Sequence, residues 1–149
     1  MKINYREIGA DERDQLLELY QHLNSHDLPL PAEKEVEQKW QEFISDEKIH
    51  CVVAEGEGNV IASCTLVIIP NLTRGARPYG LIENVVTHEQ YRKKGIGRQI
   101  LQYALDIAWK NNCYKVMLLT GRKDETTLRF YNNSGFKSGI KTGFIAYPP

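Results

Sequence analysis

The stretch from Gly80 to Ala108 constrains the fold more than any other part of the chain. Gly80 to Thr87 is an apolar run with β-branched residues and reads as a strand. Tyr91-Arg-Lys-Lys-Gly-Ile-Gly-Arg98 follows as a basic, glycine-rich turn. A helix starts near Ile96, because Ile96, Ile100, Leu101, Ala104, Leu105 and Ala108 recur at helical spacing. The pattern runs out near Asn111-Asn112, and Val116 to Thr120 is a short, apolar second strand. A strand, helix and strand joined in this way close right-handed, with the two strands parallel.

The flanking segments build a sheet around this unit. Ile3 to Ile8 alternates apolar and polar residues as a first strand, and Asp11 is a candidate N-cap for a helix bearing Leu16, Leu17, Tyr20 and Leu23. Asn24 to Pro31 is a loop. Ala32 to Ser45 is a second helix, with Val36, Trp40, Phe43 and Ile44 on one face. Ile49 to Glu55 and Val60 to Ile69 pair as a hairpin through Gly56-Glu-Gly-Asn59. Pro70 to Tyr79 is a polar loop carrying Arg74 and Arg77. Thr127 to Asn133 is a short helix stopped at Ser134-Gly135, and Phe136 to Tyr147 supplies one or two closing strands. Trp40 and Trp109 both fit helix core faces. No linker or repeat divides residues 1–149, so one domain is expected, an α/β mixed sheet covered by helices on both faces.

Composition excludes several classes of function. Of 149 residues, 42% are hydrophobic and 26% charged, which suits a globular chain and not a disordered one. Nineteen Lys and Arg balance nineteen Asp and Glu, so no basic excess supports general nucleic-acid binding. Cys51, Cys64 and Cys113 are scattered without CxxC spacing; they read as buried thiols in a reducing compartment, with no metal site. The opening Met1-Lys-Ile-Asn-Tyr-Arg-Glu7 holds no apolar signal run, and the longest apolar stretch, Val60 to Ile69, is too short for a membrane span. A cytoplasmic location is therefore expected, with no membrane partner.

The basic turn carries the chemistry. Glycines between a strand and a helix let the backbone approach a ligand and expose the N–H groups of the helix's first turn. Those donors and the helix dipole favour an anion. Arg92, Lys93, Lys94 and Arg98 surround the turn, so phosphate or pyrophosphate is the natural occupant. A P-loop would end in Gly-Lys-Ser/Thr, whereas Gly97 precedes Arg98 and Gln99. A dinucleotide turn would carry a third glycine at position 100, which is isoleucine.

Arg92-Lys-Lys-Gly95-Ile-Gly97 resembles the Arg/Gln-x-x-Gly-x-Gly/Ala signature of the GNAT N-acetyltransferase superfamily. Ile82-Glu-Asn-Val-Val-Thr87 is similar to that family's fourth strand, and Phe130-Tyr-Asn-Asn-Ser-Gly-Phe136 to its ending. Ile82-Glu-Asn-Val-Val and Asn112-Cys-Tyr-Lys-Val are also similar to glucosamine-6-phosphate N-acetyltransferases, and no acceptor follows from so short a match. The resemblance implies a mixed, mostly antiparallel sheet of six to seven strands with about four helices, splayed between the fourth and fifth strands. It implies acetyl-CoA as acyl donor, with its pyrophosphate on backbone N–H groups of Arg92 to Gly97 (through Lys93, Lys94, Gly95 and Ile96) and Lys93, Lys94 and Arg98 nearby. Its pantetheine arm would lie along Val85, Val86 and Thr87 as an added strand.

The same resemblance implies site roles. Glu83 is the candidate base, since an amine of reference pKa near 10.4 arrives protonated. Tyr131, expected at the start of a short helix, is the candidate acid for the leaving thiolate, and the Val86 N–H the candidate oxyanion donor. Asp124 stands where many relatives have an asparagine contacting the cofactor; an aspartate accepts but cannot donate. Asn84, Arg74 and Thr120 are acceptor-side candidates, and His22, His26 and Asp27 lie near the loop that often borders the acceptor. The expected activity is transfer of acetyl to a primary amine of a small molecule by direct attack in a ternary complex. The alternatives are a non-catalytic acyl-CoA-binding module and a protein or peptide N-acetyltransferase. The apolar tail from Ile140 to Pro149 suits a homodimer contact.

Overall fold

A computed structural model describes residues 1–149. In chain order the elements are β1 (Ile3–Glu7), α1 (Arg13–Tyr20), α2 (Glu33–Ser45), β2 (Ile49–Gly56), β3 (Asn59–Ile69), β4 (Tyr79–Thr87), α3 (Ile96–Lys110), β5 (Val116–Leu118) and α4 (Glu125–Asn132). A single 3-10 turn, Glu89–Tyr91, links β4 to α3. The strands lie side by side in sequence order, antiparallel except for the parallel β4–β5 pair. The β2–β3 turn places Glu57 and Gly58 in the left-handed region (φ 54° and 78°), the two-residue geometry that matches strand twist.

Alternation along β2 and β3 divides the core in two. Val52, Ala54, Cys64 and Leu66 face α3, where Ile100, Leu101, Ala104 and Ala108 are fully buried. Val53, Val60 and Val86 face Leu16 and Leu19 of α1 and Trp40 of α2. The Trp40 indole N–H donates to the Ala10 carbonyl at 3.0 Å, so this buried ring leaves no polar atom unpaired. Cys51, Cys64 and Cys113 are free and buried, and burial pushes the Cys51 thiol up to about 11. No helix is long and apolar enough to cross a membrane.

The structure corrects five expectations. The sheet has five strands, not six or seven. Residues 137–149 form no strand, and no backbone hydrogen bond involves them. Alternation makes a segment fit for a sheet, but a strand exists only where another edge supplies its hydrogen bonds. Trp109 is 49% exposed, because Leu105 and Ala108 fill the inner face of α3 and Trp109 lies one position round. Asp11 does not cap α1; Glu12 holds the cap position, and its carboxylate accepts from Gly9 N and Arg6. Tyr131 sits at the end of α4, not its start, since α4 begins two residues early at the Asp124 cap.

Candidate active site

Two features of β4 open a slot in the sheet. Opposite β3, Val86 pairs with Ser63 and Glu83 with Thr65, so three steps on β4 meet two on β3. Asn84 takes up the extra residue with φ 53°, a β-bulge at an exposed asparagine that tolerates the left-handed region. The bulge resets the alternation, so Glu83 and Val86 both face the α1 side. On its other edge, β4 pairs with β5 only at Gly80–Val116, Leu81–Met117 and Ile82–Leu118. Past Ile82 the strands part, and the outer edge of Asn84 to Thr87 is left without a strand partner. The expected fifth strand, Val116 to Thr120, is thereby shortened: Leu119 is exposed, and the Thr120 hydroxyl accepts from Arg122 N at 3.2 Å.

At the open end of the slot lies the basic turn. Lys93 (φ 61°) and Gly95 (φ 78°) are both left-handed, and Gly95 caps α3 with open space where a Cβ would stand. Left-handed residues before a helix turn successive N–H groups inward and form an anion-binding nest. The first turn of α3 contains no acidic residue. Lys93, Lys94 and Arg98 are exposed and have no carboxylate partner. The Lys94 ammonium lies 5.3 Å over the Tyr91 ring. Ile96 is buried and anchors the turn in the core.

Gly97 permits close packing of α4 on α3: a Cβ there would lie 3.0 Å from Phe130 Cζ. Phe130 in turn packs on Tyr131, ring centroids 4.9 Å apart. Tyr131 is half-buried against the α3-side core and meets Phe136 edge-on. Burial pushes its phenol above the ordinary value, nearby Cys64 adds to the rise, Arg122 opposes it and the Glu83 carboxylate adds to it. The phenol therefore stays protonated through the neutral range. Glu83 itself is an exposed residue.

The turn thus meets the end of β4, with the place of a Gly97 Cβ 3.5 Å from Thr87 Oγ1, and Glu83 of β4 lies near enough to Tyr131 for its charge to act on the phenol. Other candidates have local tasks. Asp124 caps α4 by accepting from Thr127 N at 3.0 Å, and it pairs with Arg122 at 3.1 Å. Those bonds hold its carboxyl below the usual range, chiefly through Thr127. Arg77 donates to the carbonyls of Asn112 and Cys113. Arg74 (φ 56°) lies 5.8 Å over Tyr114, in a cluster with Tyr79 and Lys115 at the start of β4, remote from the turn. Two contacts had no signal in the sequence. The Tyr20 hydroxyl is buried beside Thr65 and Asn84, and burial pushes it up to about 12. Arg92 turns its guanidinium away from the nest, to the carbonyls of Thr87 and His22. Both depend on contacts distant in sequence.

Residues 13–136 match the profile of the Acetyltransferase (GNAT) family. A solved structure of a presumed acetyltransferase from Agrobacterium tumefaciens strain C58 is 42% identical, with a TM-score of 0.90 over 97% of this chain and 99% of that one. An acetyltransferase structure from Trypanosoma brucei is 27% identical, with a TM-score of 0.81 over 98% of this chain and 100% of that one. Among curated proteins, the glucosamine 6-phosphate N-acetyltransferase of Trypanosoma brucei brucei is 37% identical over 81 residues, 54% of this chain and 53% of the relative. The chain thus spans about half the length of the curated relatives it matches.

Proposed function

The chain belongs to the acetyltransferase (GNAT) family, and on that premise we propose that it moves an acetyl group from acetyl-CoA to a primary amine of a small molecule, by direct attack in a ternary complex. The observation that carries this reading is the unpaired β4 edge running into a cation-rich helix N-terminus. The donor set fits the ligand: a nest of N–H groups with free cations suits a pyrophosphate, and an open strand edge suits an amide-bearing arm. Acetyl-CoA supplies the thioester carbonyl and the thiol leaving group.

The chain's own residues have these roles. The backbone N–H groups of Arg92 to Gly97 bind the pyrophosphate, and Lys93, Lys94 and Arg98 add charge. Val85, Val86 and Thr87 hold the pantetheine arm along the β4 edge. Glu83 receives the proton from the acceptor amine. The Val86 N–H points its dipole at the oxyanion. Tyr131, kept protonated by burial, returns a proton to the sulfur. Asp124 fixes the start of α4 and so the place of Tyr131.

On the acceptor side this reading takes Asn84 and Thr120, with Arg74 further off at the start of β4. The curated relatives are named for glucosamine 6-phosphate, and this amino sugar phosphate is the first acceptor to test. A homodimer completes the reading. Ile140, Phe144, Ile145 and Tyr147 are between 67% and 89% exposed on a tail with no backbone hydrogen bonds, which suits the edge or face of a second copy.

The test is thermal unfolding with acetyl-CoA, with ATP and NAD as controls, followed by thiol release with glucosamine 6-phosphate. Acetyl-CoA at 100 times its Kd adds about 2.7 kcal/mol, a rise of roughly 5–11 °C for a chain of this size. No rise at millimolar acetyl-CoA overturns the proposal. A rise without thiol release from any amine favours a binding module.

A further inference from the structure

The guanidinium of Arg92 does not face the nest. Its Nε donates to the Thr87 carbonyl at 3.0 Å, and its Nη2 to the His22 carbonyl at 3.1 Å, across 70 positions of sequence. Thr87 is the last residue of β4, at the mouth of the slot. His22 lies two residues beyond α1, where helix carbonyls lack intrahelical partners. One side chain therefore joins the end of β4, the end of α1 and the basic turn that carries its own backbone. Arginine suits this task because its rigid fork presents separate donors to two carbonyls, which a lysine ammonium cannot reproduce.

The residues after His22 have little else to hold them. Within 23–32 the hydrogen bonds are local: Leu23 and Asn24 N–H groups return to the Tyr20 carbonyl, Asp27 N donates to the Asn24 carbonyl, and the Asn24 and Asp27 side chains accept from His26 and Leu28. From outside α1, α2 and their connection, Arg92 supplies the one hydrogen bond that reaches residues 21–32. A ring contact lies beside it, with the His22 and His88 centroids 4.0 Å apart. His88 starts the 3-10 turn by accepting from Gln90 N, and it meets Tyr91 edge-on. Leu28 and Leu30 in the same loop are 85% and 61% exposed, so closure of this loop over a ligand would bury apolar surface.

We propose that Arg92 is a positioning residue that transmits occupancy of the basic turn to the loop at residues 22–32. Filling the nest restrains the backbone that carries Arg92. The fork, held at Thr87, then restrains the His22 carbonyl and the loop that hangs from it. Coupling of this kind is reciprocal, so a ligand held by the loop also tightens the turn. The inference rests on the reading of the turn as the coenzyme A site.

The experiment is amide hydrogen exchange on the full chain with and without saturating coenzyme A, for wild type, Arg92→Gln and Arg92→Lys. In wild type, coenzyme A slows exchange across residues 22–32 about fivefold or more. In Arg92→Gln, with coenzyme A bound and the α3 and β3 amides as protected as in wild type, the slowing falls below about twofold. Arg92→Lys keeps the charge without the fork and gives an intermediate value, which also serves if the glutamine variant folds poorly. Binding in wild type without slowing in the loop overturns the proposal, and so does full slowing in either variant. Failure of wild type to bind coenzyme A at all, read from its thermal shift, overturns the reading of the turn instead.

Discussion

Gly97 in the first turn of α3 stands against Phe130 of α4, with only 3.0 Å between the place of its missing Cβ and Phe130 Cζ. Phe130 precedes Tyr131, so this glycine sets how near the proposed acid approaches the basic turn. Gly97→Ala gains about 1 kcal/mol of helix propensity and loses about 1–3 kcal/mol to overpacking. The expected outcome is a net loss of stability of up to about 2 kcal/mol, with a fall in kcat, read by thermal unfolding and steady-state kinetics. Unchanged stability and kcat would show that α4 yields freely.

Tyr131→Phe removes the phenol and keeps the ring packing against Phe130 and Phe136. The expected kcat falls about 100-fold or more, while the thermal shift with acetyl-CoA persists. The folded phenol titrates above its ordinary value because it is buried. An acid works below its pKa and fails as pH rises through it, so the alkaline limb of the wild-type kcat profile lies above about pH 10. A limb at lower pH assigns it to another group.

Glu83→Gln tests the base. The side chain is exposed, so stability should change by no more than about 0.5 kcal/mol. At neutral pH kcat falls about 100-fold or more. The deficit narrows as pH rises toward the amine's pKa, because free amine then arrives without help. A constant deficit across pH marks Glu83 as an acceptor-holding group.

Glu12 is a stability probe remote from the cleft. Arg6 donates to both its oxygens, at 2.8 and 2.6 Å, and Gly9 N donates at 2.7 Å. The Arg6 bonds hold the Glu12 carboxyl below the usual range, burial opposes them, and the Gly9 bond assists. A depressed folded pKa means the stabilisation is present above the unfolded value of about 4.3 and is lost as pH falls through the folded one. Glu12→Gln should cost about 1–3 kcal/mol at pH 7. The gap to wild type should close in acid, as followed by urea unfolding from pH 7 downward. A gap that persists in acid shows that the loss comes from packing.

Removal of residues 140–149 tests the tail. If Ile140, Phe144, Ile145 and Tyr147 serve a contact between copies, the full chain sediments as a dimer and the shortened one as a monomer. The helical signal should be unchanged, because no helix or strand lies beyond Asn132. A full chain that sediments as a monomer overturns the homodimer.

Much of the frame was legible because it rests on local physics. The helical spacing from Ile96 to Ala108, the Glu57-Gly58 turn and the β-branched runs of β2 and β3 each meet their own steric and burial requirements, and they appear within a residue or two of where the pattern ends. The basic turn was legible for the same reason: Gly95 before Ile96 announces a helix start whose N–H groups stay free. The tail misled because alternation reports fitness for a sheet and says nothing of a partner edge. Trp109 misled because a helix face has a width, and Leu105 and Ala108 had already filled it.

The sequence by itself determined most of the elements, their order and the basic, glycine-bearing turn, since these follow from side-chain period, backbone freedom and charge over a few neighbouring residues. Tertiary structure alone decided the rest. It placed the bulge at Asn84 through the register of β3 on β4, and it parted β4 from β5 after Ile82. It also brought Tyr131 of α4 within reach of the Glu83 charge, and it turned Arg92 to the carbonyl of His22. Each of these depends on atoms distant in the chain competing for the same space or the same hydrogen bond, and that competition is settled only when the whole core packs.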